Sequence, residues 1–170
     1  MNRGARIIEP LTGHTPFLLE ERDGAEMSDT FSESEIETLH KGAMGAGLLV
    51  SVSDRGFFDT FKEAGALAKH VAAARGSSES AVVKQAAAGR GSGFGVTASP
   101  DEIESGTLDA LRSSVDLLEA KAPDEVEAYR SFVLDLAHSV AAAAPGGDQT
   151  EAGTIAKIET ALAGGGAPAS

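Results

Sequence analysis

Three carboxylates, Asp54, Asp59 and Glu63, cluster where the chain passes from one helical pattern to the next, in and after the run Asp54-Arg55-Gly56-Phe57-Phe58-Asp59. Oxygen ligands gathered in this way are what a hard cation such as Ca²⁺ or Mg²⁺ requires. A second acidic turn supplies Asp148 and Glu151. Neither run follows the calcium-loop pattern of alternating acids, a central glycine and a closing glutamate. Acids in these places also cap helix starts and favour the positive end of the helix dipole. Asp54, Asp59, Asp148 and Glu151 therefore form the candidate metal site, and helix capping is the reading that needs no ion.

Other chemistry finds less support. His40, His70 and His138 fall on three different expected helices, and none has the His-Glu-x-x-His spacing that puts two ligands on one face. The glycines of Gly89-Arg90-Gly91-Ser92-Gly93-Phe94-Gly95 would let backbone amides approach a phosphate. However, no Gly-Lys-Ser/Thr follows, Phe94 stands where a dinucleotide loop needs its last glycine, and no strand pattern precedes the run. A flexible linker is the expected role. With no cysteine in the chain there is no thiolate nucleophile, so an enzyme would have to rely on paired carboxylates at the acidic turns.

Helices must position these residues. Ser32-Glu33-Ser34-Glu35 fits a capping box, and Ile36, Leu39, Ala43, Ala46, Gly47 and Val50 then recur at steps of three and four. Asp54-Arg55-Gly56 ends that helix. Asp59 opens a second, with Phe61, Ala64, Leu67, Ala68 and Val71 inward and Gly76 as its stop. A short third helix is expected over Ser78 to Ala88. Ser99-Pro100-Asp101-Glu102 begins a fourth with a hydroxyl cap, proline at the first helical position and an acid three residues on. Its stripe is Ile103, Leu108, Leu111, Val115 and Leu118. Pro123 begins a fifth, carrying Val126, Tyr129, Val133, Leu136, Ala137 and Val140, and a sixth runs from about Thr150 to Leu162.

The inward sets of the first and fifth helices match at a constant offset of 90 residues, from Ile36 and Val126 onward. We therefore expect an all-α bundle of about six helices built as two similar helical hairpins. The halves are 31–88 and 99–163, joined by the glycine-rich linker 89–98. Residues 1–30, with two prolines and three glycines, are expected to form a poorly ordered leader, in which Met27 is a second candidate start beside Met1. Residues 164–170 are expected to form a flexible tail. Gly42, Gly45 and Gly47 make a small-residue face open to close helix packing, within the chain by default or in a homodimer.

Composition narrows the partners. A net charge of −12 repels phosphate backbones and anionic lipid, so nucleic acid and membrane surfaces are excluded as expected partners. The most apolar run, Gly42 to Val52, is too short to span a bilayer, and residues 1–26 lack the continuous apolar stretch of a signal peptide. A cytoplasmic location is expected.

The runs Val50-Ser51-Val52-Ser53-Asp54-Arg55-Gly56 and His138-Ser139-Val140, leading through Gly147-Asp148 to Glu151, each lie between two helices. In this the chain resembles the tellurite-resistance TerB-like family over roughly residues 33–163. That family pairs two helical hairpins with acidic turns associated with divalent metals, in interaction modules of stress-response and membrane-linked complexes. The resemblance implies that Asp54 and Asp59 match the first turn, and Asp148 and Glu151 the second. Arg55 interrupts the Asp-Gly pair, Lys62 stands near the place of an expected glutamate, and Ala144-Pro145 replaces the second turn's aspartate. These departures favour a non-catalytic scaffold that keeps the fold and has lost the metal. The alternatives are a cation sensor using the four acids and, third, a carboxylate enzyme.

Overall fold

The computed structural model describes residues 30–53, 61–95, 97–143 and 149–164. Among them are six α-helices and no strand: α1 (Glu33–Ser53), α2 (Phe61–Ser77), α3 (Ala81–Ala88), α4 (Pro100–Lys121), α5 (Val126–Ala141) and α6 (Gln149–Leu162). The all-α bundle expected from the spacing is the fold observed. None of these helices is long and apolar enough to cross a membrane.

Both capping boxes form. The Ser32 amide donates to Glu35 Oε2 at 2.7 Å, and the Glu35 amide reaches back to Ser32 Oγ at 3.4 Å. Ser99 and Glu102 repeat the exchange at the start of α4, with Pro100 in the first turn. Each box satisfies two amides that the helix start would otherwise leave unpaired. Lys121, in the last turn of α4, binds Glu35 at 2.7 Å and the Thr30 carbonyl at 3.1 Å, tying the end of α4 to the start of α1. Phe31 beside this knot is buried.

α1 is the central helix. From Leu39 to Ser51 every residue is buried except Lys41 and Leu48, which are half-buried. It packs most extensively on α4 and α5 and also touches α3 and α6. A helix can be enclosed on so many sides only if its side chains are small enough for neighbours to approach. Gly42 leaves room for the Tyr129 hydroxyl, Gly45 for Thr107 and Phe94, and Gly47 for Leu67. The inward positions of α5 are all buried, and those of α1 are buried apart from half-buried Ile36. Two members of the 90-residue match meet directly, the Tyr129 hydroxyl donating to the Leu39 carbonyl at 2.8 Å. Full burial pushes the Tyr129 phenol well above its ordinary range, partly offset by Ser114 Oγ 3.2 Å away.

Other boundaries move by a turn or less, for local reasons. α3 begins at Ala81 rather than Ser78 because the Ser80 side chain accepts the Val83 amide at 3.0 Å, while Ser78 Oγ holds the Ser80 amide. Pro123–Glu125 forms a separate 3₁₀ turn before α5, since Ala122 leaves helical geometry at φ −150° and ψ 64°. Leu67 reaches α1 at Gly47, but α2 lies mainly against α5 and α3. Arg130 Nε donates to the Leu162 carbonyl at 2.7 Å, satisfying an acceptor at the end of α6.

The glycine-rich segment is docked rather than a free linker. His40 of α1, itself buried, places Nδ1 2.6 Å from the Ala86 carbonyl and Nε2 2.9 Å from the Gly91 carbonyl. Ala86 lies in the last turn of α3, where carbonyls lack helical partners. Gly89 lies against the His40 ring, where a Cβ would collide with it. Gly93 adopts φ +75° over Lys41, and the Lys41 ammonium sits 4.8 Å from the Phe94 ring centroid. Phe94 in turn fills the space left by Gly45 and Gly106. The glycines serve close approach and positive φ, not looseness.

Candidate functional site

Of the four expected metal ligands, Asp54, Asp59 and Asp148 lie outside the described residues, as does the core of each acidic turn. Glu151 is described: it occupies the first turn of α6, is 6% exposed, and borders a shallow groove of about 520 Å³ with His138 and Glu159. Among the described residues no three His, Asp or Glu side chains are grouped as a metal would need. His40, His70 and His138 have separate settings. His40 is clasped under the 89–95 segment, His138 faces the α5/α6 groove, and His70 stands on α2 against α5.

His70 opens onto a recess where three helices meet. A groove of about 450 Å³ runs between α2, α3 and α5. Its floor is small or apolar: Ala73 and Ala74 from α2, Val83 from α3, Ala128 and Phe132 from α5. The His70 ring stacks on Phe132 with centroids 6.1 Å apart and planes inclined by 21°, and its Nδ1 lies 3.1 Å from Ser139 Oγ. The rim is polar, with Ser77, Ser78 and Glu79 on one side and Ser131 and Asp135 on the other.

A serine–histidine contact beside an aspartate invites a nucleophile reading, and the geometry argues against it. Ser139 lies in the last turns of α5, where backbone amides are bonded within the helix and do not converge on an oxyanion position. Ser80 Oγ donates to Glu125 Oε2 at 2.5 Å while accepting the Val83 amide, so that hydroxyl is committed to capping α3. What the recess offers is shape, hydrogen-bonding groups and charge.

Glu79 and Asp135 form no ion pair among the described residues, and no lysine or arginine lines the groove. The groove of about 600 Å³ between α4 and α6 differs: Glu104 pairs with Lys157 at 2.6 Å and Asp109 with Arg112 at 3.0 Å. Two of the three carboxylates lining that wall are thus paired. Elsewhere Glu35 is matched by Lys121, and Glu119 and Glu127 by Arg130.

Local spacing did not single out this groove. His70 falls between Leu67 and Val71 on the inward side of α2, and Ser139 precedes inward-facing Val140, so each reads as a residue at the edge of an apolar stripe. The one local signal is the run Ser77-Ser78-Glu79-Ser80, unusually polar for a junction between two packed helices.

Compared with protein-family models, with curated proteins and with solved structures, the chain matches none.

Proposed function

We propose that the protein is a non-catalytic interaction module, a divergent TerB-like helical scaffold of the cytoplasm, and that it engages a protein partner through the groove between α2, α3 and α5. The observation that carries this reading is the make-up of the groove: buried Val83 and Phe132 lie beneath a rim with two carboxylates, Glu79 and Asp135, and no lysine or arginine among its lining residues, whereas the α4/α6 groove holds Lys157 on Glu104 and Arg112 on Asp109. Exposed surfaces that leave charge unmatched and the floor shallow suit recognition of another chain better than they suit chemistry. The glycine face of α1 is taken up by Tyr129, Thr107, Phe94 and Leu67 of the same chain, so a homodimer would have to use a different surface.

Site-specific photo-crosslinking tests the reading. A photoreactive side chain at Ser131, on the groove rim, is expected to capture a discrete protein adduct in cells of origin, and the same group at Asp116, on the exposed side of α4, is not. No adduct from Ser131, or equal adducts from both, would remove the proposal. The cation-sensor alternative is tested by calorimetric titration with Ca²⁺ and Mg²⁺; heat and a raised melting temperature that vanish in Asp54→Asn with Asp148→Asn would favour it instead.

A further inference from the structure

Resting on the interaction-module reading, we infer that the segment seated in the α2/α3/α5 groove is basic, presenting an arginine or lysine side chain to Glu79 and Asp135 and a small apolar residue to the floor. Charge complementarity names the occupant. The groove has two carboxylates on its rim, no lysine or arginine among its lining residues, and no ion pair for either carboxylate among the described residues. The whole chain adds an attractive field for cations through its net charge of −12.

The rim is also built for a donor-rich guest. Carboxylates only accept, and the serine hydroxyls at 77, 78 and 131 can accept as well, whereas guanidinium and ammonium groups only donate. Arginine's planar fork can engage two acceptors at once. Below the rim, Ala73, Ala74 and Ala128 give a shallow floor that a peptide backbone can approach closely, and buried Val83 and Phe132 supply the apolar contact. An acidic segment would meet like charge, and a neutral one would leave both carboxylates partly desolvated without a partner, a cost that discriminates against it.

The test uses the full chain and a short fluorescein-labelled peptide repeating Arg-Ala-Leu, with Gln-Ala-Leu and Glu-Ala-Leu repeats as counterparts. Anisotropy is expected to show binding of the arginine repeat that weakens as salt rises, and amide shifts are expected within 70–83 and 128–139. Glu79→Lys with Asp135→Lys should weaken binding about tenfold, mostly through slower association. Glu37→Lys with Asp116→Lys makes the same change of net charge on other exposed surfaces and should leave most of the affinity intact. Equal weakening by the two pairs, equal binding of the Gln-Ala-Leu repeat, or shifts mapping elsewhere would overturn the inference. Thermal melts of both double variants establish that they remain folded. A crosslinked partner whose captured segment lacks lysine and arginine would defeat this inference alone, while absence of any partner from Ser131 defeats the interaction reading beneath it.

Discussion

Two surfaces of this molecule are built from small residues, and they have opposite fates. On α1, Gly42, Gly45 and Gly47 receive Tyr129, Phe94 with Thr107, and Leu67, and the helix vanishes into the core. Between α2, α3 and α5, Ala73, Ala74 and Ala128 line a recess with carboxylates and serines around its rim. Small side chains by themselves promise only that something can come close. What comes is decided by whether the chain carries a large side chain at the right distance in space, and by whether burying the neighbouring polar groups can be compensated. Around α1 the polar groups are mostly satisfied internally: Tyr129 with the Leu39 carbonyl, Ser114 with the Ala110 carbonyl, His40 with two carbonyls. At the groove the carboxylates would have to be desolvated without partners, so water or a cationic guest is the better neighbour.

The sharpest way to break this contrast is Gly45→Leu. A side chain there must displace both Thr107 and Phe94, and we expect a loss of more than about 3 kcal/mol, read by urea unfolding. A folded Gly45→Leu protein of undiminished stability would mean that the glycine face is not core. Gly89→Ala comes next. Its Cβ collides with the His40 ring, so the contacts to Ala86 and Gly91 should be lost together at about 2 kcal/mol; His40→Ala should then add little in the double variant.

Thr107→Val should change stability in the opposite direction. Thr107 Oγ1 is buried with no hydrogen-bond partner among the described residues, so replacing the hydroxyl by a methyl of similar shape should stabilise by about 1 kcal/mol, seen as a raised melting temperature.

A smaller effect is expected from acid. Glu35 is held below its ordinary value chiefly by Lys121 and then by the Ser32 amide, and Glu102 by the Ser99 amide and hydroxyl. Both folded-state values are depressed, so the stability they confer is present above the ordinary carboxylate range and is lost as pH falls through that range to the depressed values. Glu35→Gln and Glu102→Gln should flatten the acid limb of a melting-temperature profile, and an unchanged limb would show that the boxes contribute nothing through charge. The smallest change is expected in the groove. Ala73→Leu on its exposed floor should shift stability by no more than about 0.5 kcal/mol while blocking any crosslink from Ser131.

Much of the framework was legible along the chain because its causes are local. Capping boxes act over three residues, and Ser32–Glu35 and Ser99–Glu102 form as read. The apolar stripes of α4 and α5 follow helical spacing, and Val126, Tyr129, Val133, Leu136, Ala137 and Val140 are all buried as their spacing required. The role of the glycine-rich segment was misjudged because glycine permits both looseness and close approach, and only its neighbours choose between them. Segment 89–95 is docked since His40, some fifty positions earlier, meets the Gly91 carbonyl.

The groove belongs to the same class of fact. His70 meets Ser139 across 69 positions, and Glu79 faces the recess bordered by Asp135 only because α2 and α3 both lie against α5. The amino-acid sequence by itself determined an acidic, cysteine-free, all-helical chain and where most of its helices begin and end, since propensity, capping and periodicity are settled within a turn or two of helix. The tertiary structure alone decided which small-residue surface is filled and which carboxylates remain unmatched, because those outcomes depend on side chains brought together from distant parts of the chain.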